Sequence, residues 1–235
     1  MKSILSLCQE VADLAAVKRP ESLFNSSLMS DNIFLSVAKS ALDSLLRYGD
    51  WPELIKEGIL LTSPRRKTYL ISEICPDFYA LLLDTIYIKD THEKIIGAIT
   101  PKDWMKSRYF YDNGTAIKFR LAHNAIQFLS LPDYPVKIVF QYRSSGICSD
   151  AKTFAVKSEL TSDDDIPLFD PYLVKLGILW RWLKRNGMDY AEEYNEYELE
   201  LKKKFAANYS LRDIPLDASA DFPNEGVRLN VKVVC

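Results

Sequence analysis

The chain has 235 residues, 48% of them hydrophobic and 26% charged, enough for one large or two small packed domains and unlike a disordered chain. A formal net charge of −2 leaves no global basic field to hold nucleic acid by counterion release. Cys8, Cys75, Cys148 and Cys235 are widely spaced, and His92 and His123 lack close Cys or His neighbours, so free thiols in a reducing cytoplasm are expected, with no metal or cofactor.

Lys2 precedes an apolar stretch ending at Ala15-Ala16, but Gln9, Glu10 and Asp13 interrupt it, which an export signal tolerates poorly. No run approaches the ~20 apolar residues that span a bilayer, so no membrane partner is expected. Ile4, Leu7, Val11, Leu14 and Ala15 recur at helical spacing, and this amphipathic helix ends before Pro20. A second helix carries Phe34, Val37, Ala38, Ala41, Leu42, Leu45 and Leu46 on one face, with Asp31 as N-cap and Gly49 with Pro52 at its end. Trp51, Leu54 and Ile55 dock the exit of that helix onto the same core.

From about residue 59 the pattern turns to strands. Tyr69 to Ile71, Thr85 to Ile88 and Ile95-Ile96 are short β candidates separated by turn residues. Thr100, Pro101 and Asp103 predict the start of a short helix carrying Trp104 and Met105. Three strands follow, Ala116 to Leu121, Ile126 to Leu131 and Val136 to Tyr142, in the pattern of an antiparallel meander. Thr153 to Val156 adds a further strand.

The most legible region comes next. Phe169, Tyr172, Leu173, Leu176, Trp180 and Leu183 step at three and four, and Gly187 stops that helix. Asp189 caps another, with Glu192 three residues on, acidic residues in the first turn and Lys202 to Lys204 in the last. Tyr190, Tyr194 and Tyr197 share a face of it with Leu201 and Phe205, and their polar tips suit a semi-polar interface. Trp180 falls in the core stripe and Trp182 on another face, where an exposed tryptophan would mark a protein contact and simple side packing is the equal alternative. At the C-terminus Val227, Leu229, Val231 and Val233 alternate with polar neighbours, as one isolated strand that must pair with a sheet of its own chain or of a neighbour.

These elements predict an α+β fold: a helical bundle made from the N- and C-terminal helices, residues 1–58 and 166–208, with an inserted antiparallel β domain, 59–165. An extended tail with its terminal strand occupies 209–235. Phosphate-loop, dinucleotide, zinc-protease and nucleophile-elbow motifs are missing from the sequence. Asp163-Asp164-Asp165 is the one cluster that a metal-dependent nuclease could use, although adjacent carboxylates diverge, and a solvated loop favouring the next helix N-terminus is the simpler reading. Pro64-Arg65-Arg66-Lys67 is a basic loop that could touch DNA or an acidic partner, or stay solvated.

Several segments are similar to one known family. Ile4 to Asp13, running to Lys18-Arg19-Pro20, resembles the opening of the head-to-tail adaptor proteins of tailed bacteriophages, relatives of the tail tubular or connector proteins. Ile99-Thr100-Pro101-Lys102-Asp103-Trp104, Phe119-Arg120, Asn124 to Pro132 and Phe140-Gln141-Tyr142-Arg143-Ser144 resemble further segments of that family in the same order. The most specific are Lys175 to Lys184 and Gly187-Met188-Asp189-Tyr190-Ala191-Glu192-Glu193-Tyr194, continuing to Tyr197-Glu198. The resemblance covers roughly residues 1 to 205, departs at Pro167 and Asp170-Pro171, and is silent after Asn208.

It implies a structural virion protein without catalytic residues, a ring subunit (a dodecamer) in the head-tail neck, assembled in the host cytoplasm. The implied partners are other copies of the chain, the portal protein, a tail nozzle or tail tube protein, and double-stranded DNA passing through the lumen unread. Mild acidity would let that DNA slide without sticking. The alternatives are a nuclease built on Asp163 to Asp165 and a cytoplasmic scaffold outside any virus. In the ring reading the candidate interface residues are Trp182, Tyr190, Tyr194, Tyr197, Val227, Leu229, Val231 and Val233.

Overall fold

A computed structural model of the chain describes residues 2–109 and 116–210. Its elements in chain order are α1 (Ile4–Leu14), α2 (Met29–Tyr48), a 3-10 turn (Pro52–Leu54), β1 (Ile55–Leu61), β2 (Thr68–Leu70), α3 (Ile71–Ile74), β3 (Phe78–Leu81) and β4 (Tyr87–Ile88). They continue with α4 (Pro101–Tyr109), β5 (Phe119–Ala122), β6 (Ala125–Phe128), β7 (Lys137–Ser144), β8 (Cys148–Ser149), β9 (Val156–Lys157), β10 (Ile166–Pro167), α5 (Pro171–Arg185) and α6 (Ala191–Ser210). The fold is α+β, and every ladder of named strands is antiparallel.

Helices α1, α2 and α6 each pack against α5. Their apolar stripes close one core, in which Ile4, Leu7, Val11, Phe34, Leu42, Leu45, Leu173, Ile178 and Leu201 are buried. Trp51 and Leu54 join it, and the Trp51 indole N–H donates to the Leu45 carbonyl at 2.7 Å, tying the turn after α2 to that helix. Ile147, Cys148 and Leu160, which lie far from the helices in sequence, also belong to this core.

Local chemistry sets the helix ends. Asp170 accepts from the amides of Tyr172 (3.0 Å) and Leu173 (3.1 Å), with Pro171 in the first turn, so Asp170-Pro171 caps and opens α5. At its other end Gly187 adopts φ +71°, the Met188 amide donates to the Leu183 carbonyl (3.0 Å) and the Gly187 amide to Lys184 (3.2 Å). This is a Schellman turn, and it needs a residue at ease in the left-handed region. Thr100 caps α4 as expected, its hydroxyl accepting from the Asp103 amide at 3.1 Å. Asp31 is not the cap of α2: the helix begins at Met29, and Asp31 is buried in its first turn, accepting from the Ser26 hydroxyl at 2.6 Å.

The second core belongs to the strands, with Leu60, Tyr69, Ile88, Phe119, Phe128, Ile138, Phe140 and Tyr142 buried together. The meander holds only in part. β5 and β6 pair across a tight turn in which His123 (φ 52°) and Asn124 (φ 56°) are both left-handed, the turn whose twist matches a hairpin. β7, however, pairs with β1 on one side and with β3 and β4 on the other, not with β6. Between β6 and β7 the segment Pro132-Asp133-Tyr134-Pro135 carries two prolines, which donate no ladder bonds. The strand expected at Thr153 to Val156 shrinks to Val156–Lys157, and Ile95-Ile96 forms no strand.

β1 went unread because Gly58 breaks its β-branched character. A Cβ at that position would collide with the Phe140 ring, so glycine is what lets β7 lie close. Gly177 plays the same part in α5, where an added Cβ would stand 3.3 Å from Tyr197 Cε2 and 3.4 Å from Ala41 Cβ. Gly177→Val is therefore expected to destabilise the protein by about 1–3 kcal/mol through overpacking, and Gly187→Ala by about 1 kcal/mol through its positive φ. Urea unfolding followed by circular dichroism checks both.

Candidate protein interface

The tyrosine-lined face of α6 packs onto α5 of the same chain. Trp180 sits at its centre, with ring centroids 5.1 Å from Tyr194 in an edge contact, 6.1 Å from Tyr197 and 6.2 Å from Tyr190. The Arg181 guanidinium lies 4.2 Å above Trp180 and 5.6 Å from the Tyr197 ring. It donates to the Gly177 carbonyl and to the Ser44 hydroxyl, both at 2.8 Å, so one side chain links α5, α6 and α2. Burial pushes the Tyr197 phenol up, and Arg181 only partly offsets it, so the phenol stays neutral.

Both tryptophans pack into the helical core, and Trp182 takes the side-packing alternative rather than an exposed position. Trp182, expected on an outer face, is 5% exposed and stacks on Phe34 at 5.5 Å, while Trp180 is only half-buried. The reason is geometric: α5 is covered by three helices, so its buried surface is much wider than a single stripe. Tyr197 is 4% exposed and Tyr190 half-buried; of the three tyrosines, Tyr194 keeps the most surface, and Leu199 is exposed elsewhere on α6. Val227, Leu229, Val231 and Val233 lie outside the described residues.

The Asp163 to Asp165 loop is also not simply solvated. Asp163 accepts from the Ser22 hydroxyl (2.5 Å) and the Leu23 amide (2.7 Å), and the carbonyls of Asp165 and Asp163 accept from the first amides of α1, Ile4 (2.8 Å) and Leu5 (3.2 Å). Asp165 is 0% exposed, paired with Lys157 and holding the amides of Thr161 (2.7 Å) and Ser162 (3.0 Å). Burial alone would push its carboxyl up, yet Lys157 and the two amides outweigh burial and hold it below the ordinary range. The carbonyls of Asp163 and Asp165 latch the start of α1 to a segment more than a hundred residues away, the Asp163 carboxylate holds the Ser22-Leu23 loop, the Asp165 carboxylate braces its own turn, and Asp164 remains outward. Among the described residues no group of three His, Cys, Asp or Glu is arranged to hold a metal ion.

A second polar cluster joins β1, β7 and the end of α3. Tyr142 donates to Asp77 at 2.8 Å and Lys56 pairs with it at 2.5 Å. Burial pushes the neighbouring Cys75 thiol up, so it stays protonated near neutrality and is a poor nucleophile. The cluster holds strands together rather than presenting a reactive group.

One surface escaped the sequence reading. On the open face of the larger sheet Ile59, Val139 and Tyr87 form a cross-strand row, with exposed Leu61 beside it. β1 pairs only with β7 among the described strands, so its outer edge is open there. The alternation of exposed Ile59 and Leu61 with buried Leu60 was the available signal.

Removing the Asp165 carboxylate has a calculable signature. Asp165→Asn leaves Lys157 without its buried counter-charge and is expected to cost about 2–3 kcal/mol. Because the folded carboxyl titrates below its unfolded value near 4, its stabilising contribution is complete above that pH and fades as pH falls through the lower folded value. The gap between wild type and variant should thus narrow in urea titrations run below about pH 4, and a gap constant from pH 7 to pH 2 would contradict this role of the Asp165 carboxylate.

A comparison with the models of known protein families and one with curated proteins each found no match to this chain.

Proposed function

We propose that this chain is a structural subunit of a ring that joins the portal of a tailed-phage capsid to the tail, with double-stranded DNA passing through the lumen. The observation that carries the reading is the ordered resemblance over roughly residues 1 to 205, whose most specific segment, Lys175 to Lys184, is the middle of α5. Its continuation from Gly187 to Glu198 is the Schellman turn and the start of α6. The segment with Thr100, Pro101, Asp103 and Trp104 is a capped helix start, and the Phe119 to Pro132 segment contains a hairpin. In this reading the terminal helices form the adaptor body, and the β region is inserted between its halves.

Two surfaces support assembly. A ring needs one face of each subunit to meet a different face of the next. The open side of α6 with Leu199, and the Ile59–Val139–Tyr87 row with the edge of β1, are two such faces of mixed and apolar character. The nuclease alternative loses support, since Asp163 and Asp165 are engaged in holding α1 and the 157–165 turn.

Mass photometry and negative-stain microscopy of the protein, alone and with the portal encoded beside it, test the reading. A closed ring, or a monomer that assembles on the portal, is expected. A chain that stays monomeric and ignores that portal overturns the proposal.

A further inference from the structure

The β region carries a pocket of about 610 Å³ between α4, the β5–β6 hairpin and the start of β2. Its volume falls within the range of small-ligand sites. Lys67, Arg108, Lys118 and Arg120 line it, and no carboxylate is among its described lining residues. In a chain of net charge −2, four cations and no described carboxylate around one cavity make a local excess of positive charge.

The groups are held in position. The Arg120 guanidinium lies 4.2 Å above the Trp104 ring, and its Nε donates to Gln127 at 2.9 Å. Lys67 Nζ reaches the Leu129 carbonyl at 3.2 Å, and Lys118 Nζ the Ser107 hydroxyl at 3.5 Å. Lys67, Arg108 and Arg120 have no carboxylate within ion-pair distance among the described residues. Trp104 is 6% exposed, lines the pocket, and its indole N–H finds no acceptor. Lys67, Arg108 and Arg120, held around one cavity without a described carboxylate partner, are groups suited to an anion.

We propose that this pocket binds the phosphate backbone of a nucleic-acid strand. The basic loop noted in the sequence contributes Lys67, while Arg66 is turned away onto Glu73 (2.8 Å) and the Tyr69 ring (4.7 Å). Nucleic acid fits better than an acidic peptide because the pocket also includes Tyr109, 68% exposed and flanked by Arg108. An open aromatic ring beside phosphate-binding cations is the pairing that stacks a base while its backbone is held. The inference does not depend on the ring reading, because it concerns the surface of the single chain.

Fluorescence anisotropy of the full chain with a labelled single strand of about ten nucleotides, and with a duplex of similar length, tests it. If about three phosphates are held, raising salt from ~50 to ~200 mM should weaken single-strand binding about 20-fold. Lys67→Glu with Arg108→Glu, both at exposed positions, should cut affinity at least about tenfold while leaving the circular dichroism spectrum unchanged. Lys18→Glu with Lys203→Glu, an equal charge change on the helical part, should leave affinity within about twofold. A single-strand preference that disappears in Tyr109→Ala supports base stacking at the rim, and equal binding of both forms supports phosphate contacts alone. Absence of binding to either form overturns the proposal. So does an equal loss in the control variant, or equal binding of a glutamate-rich peptide of the same charge.

Discussion

The interior of the helical part depends on α5, a helix covered by three others. Leu173, Val174, Leu176, Gly177, Ile178, Leu179, Trp182 and Leu183 are all buried, so nearly every turn is dry on more than one side. Such a helix has little room for bulk where neighbours cross it, and Gly177 supplies the thin point between Ala41 of α2 and Tyr197 of α6. Glycine inside a helix gives up about 1 kcal/mol of helical preference, which the closer packing offsets. The same crossing admits a charge. Arg181 is tolerated because a carbonyl, a hydroxyl and two aromatic faces meet it.

Much of this was legible in the sequence, and the failures share a cause. Helix positions, the Thr100 cap and the Gly187 stop follow from local chemistry, and local chemistry is written within a few residues of where it acts. What α5 faces is not local. A stripe of Phe169, Tyr172, Leu173, Leu176, Trp180 and Leu183 predicts one buried side, whereas three covering helices bury most of the circumference and draw in Trp182. The tyrosines of α6 meet a surface that the local sequence does not announce. Their polar tips suit a wet boundary, but the boundary is the seam between consecutive helices of one chain. Strand pairing failed where it crosses long sequence distances, since nothing near β7 announces β1 some eighty residues earlier.

Charge is used in two distinct ways along the chain. Around the helices, carboxylates are structural: Asp170 caps α5 and meets Lys204 of α6 at 2.9 Å, while Asp163 and Asp165 hold loops. At the junction with the strands, Arg143 of β7 meets Asp50 at 3.2 Å and lies 4.7 Å from the Tyr79 ring, joining the two cores by a mostly buried cation. In the pocket beside α4, by contrast, cations gather with no described carboxylate among them. Near neutrality in the sum, the chain is polarised in detail, and net charge alone describes neither region.

The latch between α1 and the Asp163–Asp165 loop has a consequence in time. The first amides of α1 are satisfied by carbonyls of residues 163 and 165, and the apolar faces of α1 and α2 are covered by a helix ending at Arg185. On the ribosome the N-terminal helices therefore emerge well before the residues that complete them. At usual synthesis rates, the roughly 140 residues after α2 take on the order of 7–30 s. Through that interval the chain carries two open amphipathic helices, and the strands between them are free to fold first. The end of the message thus governs when its beginning becomes structure.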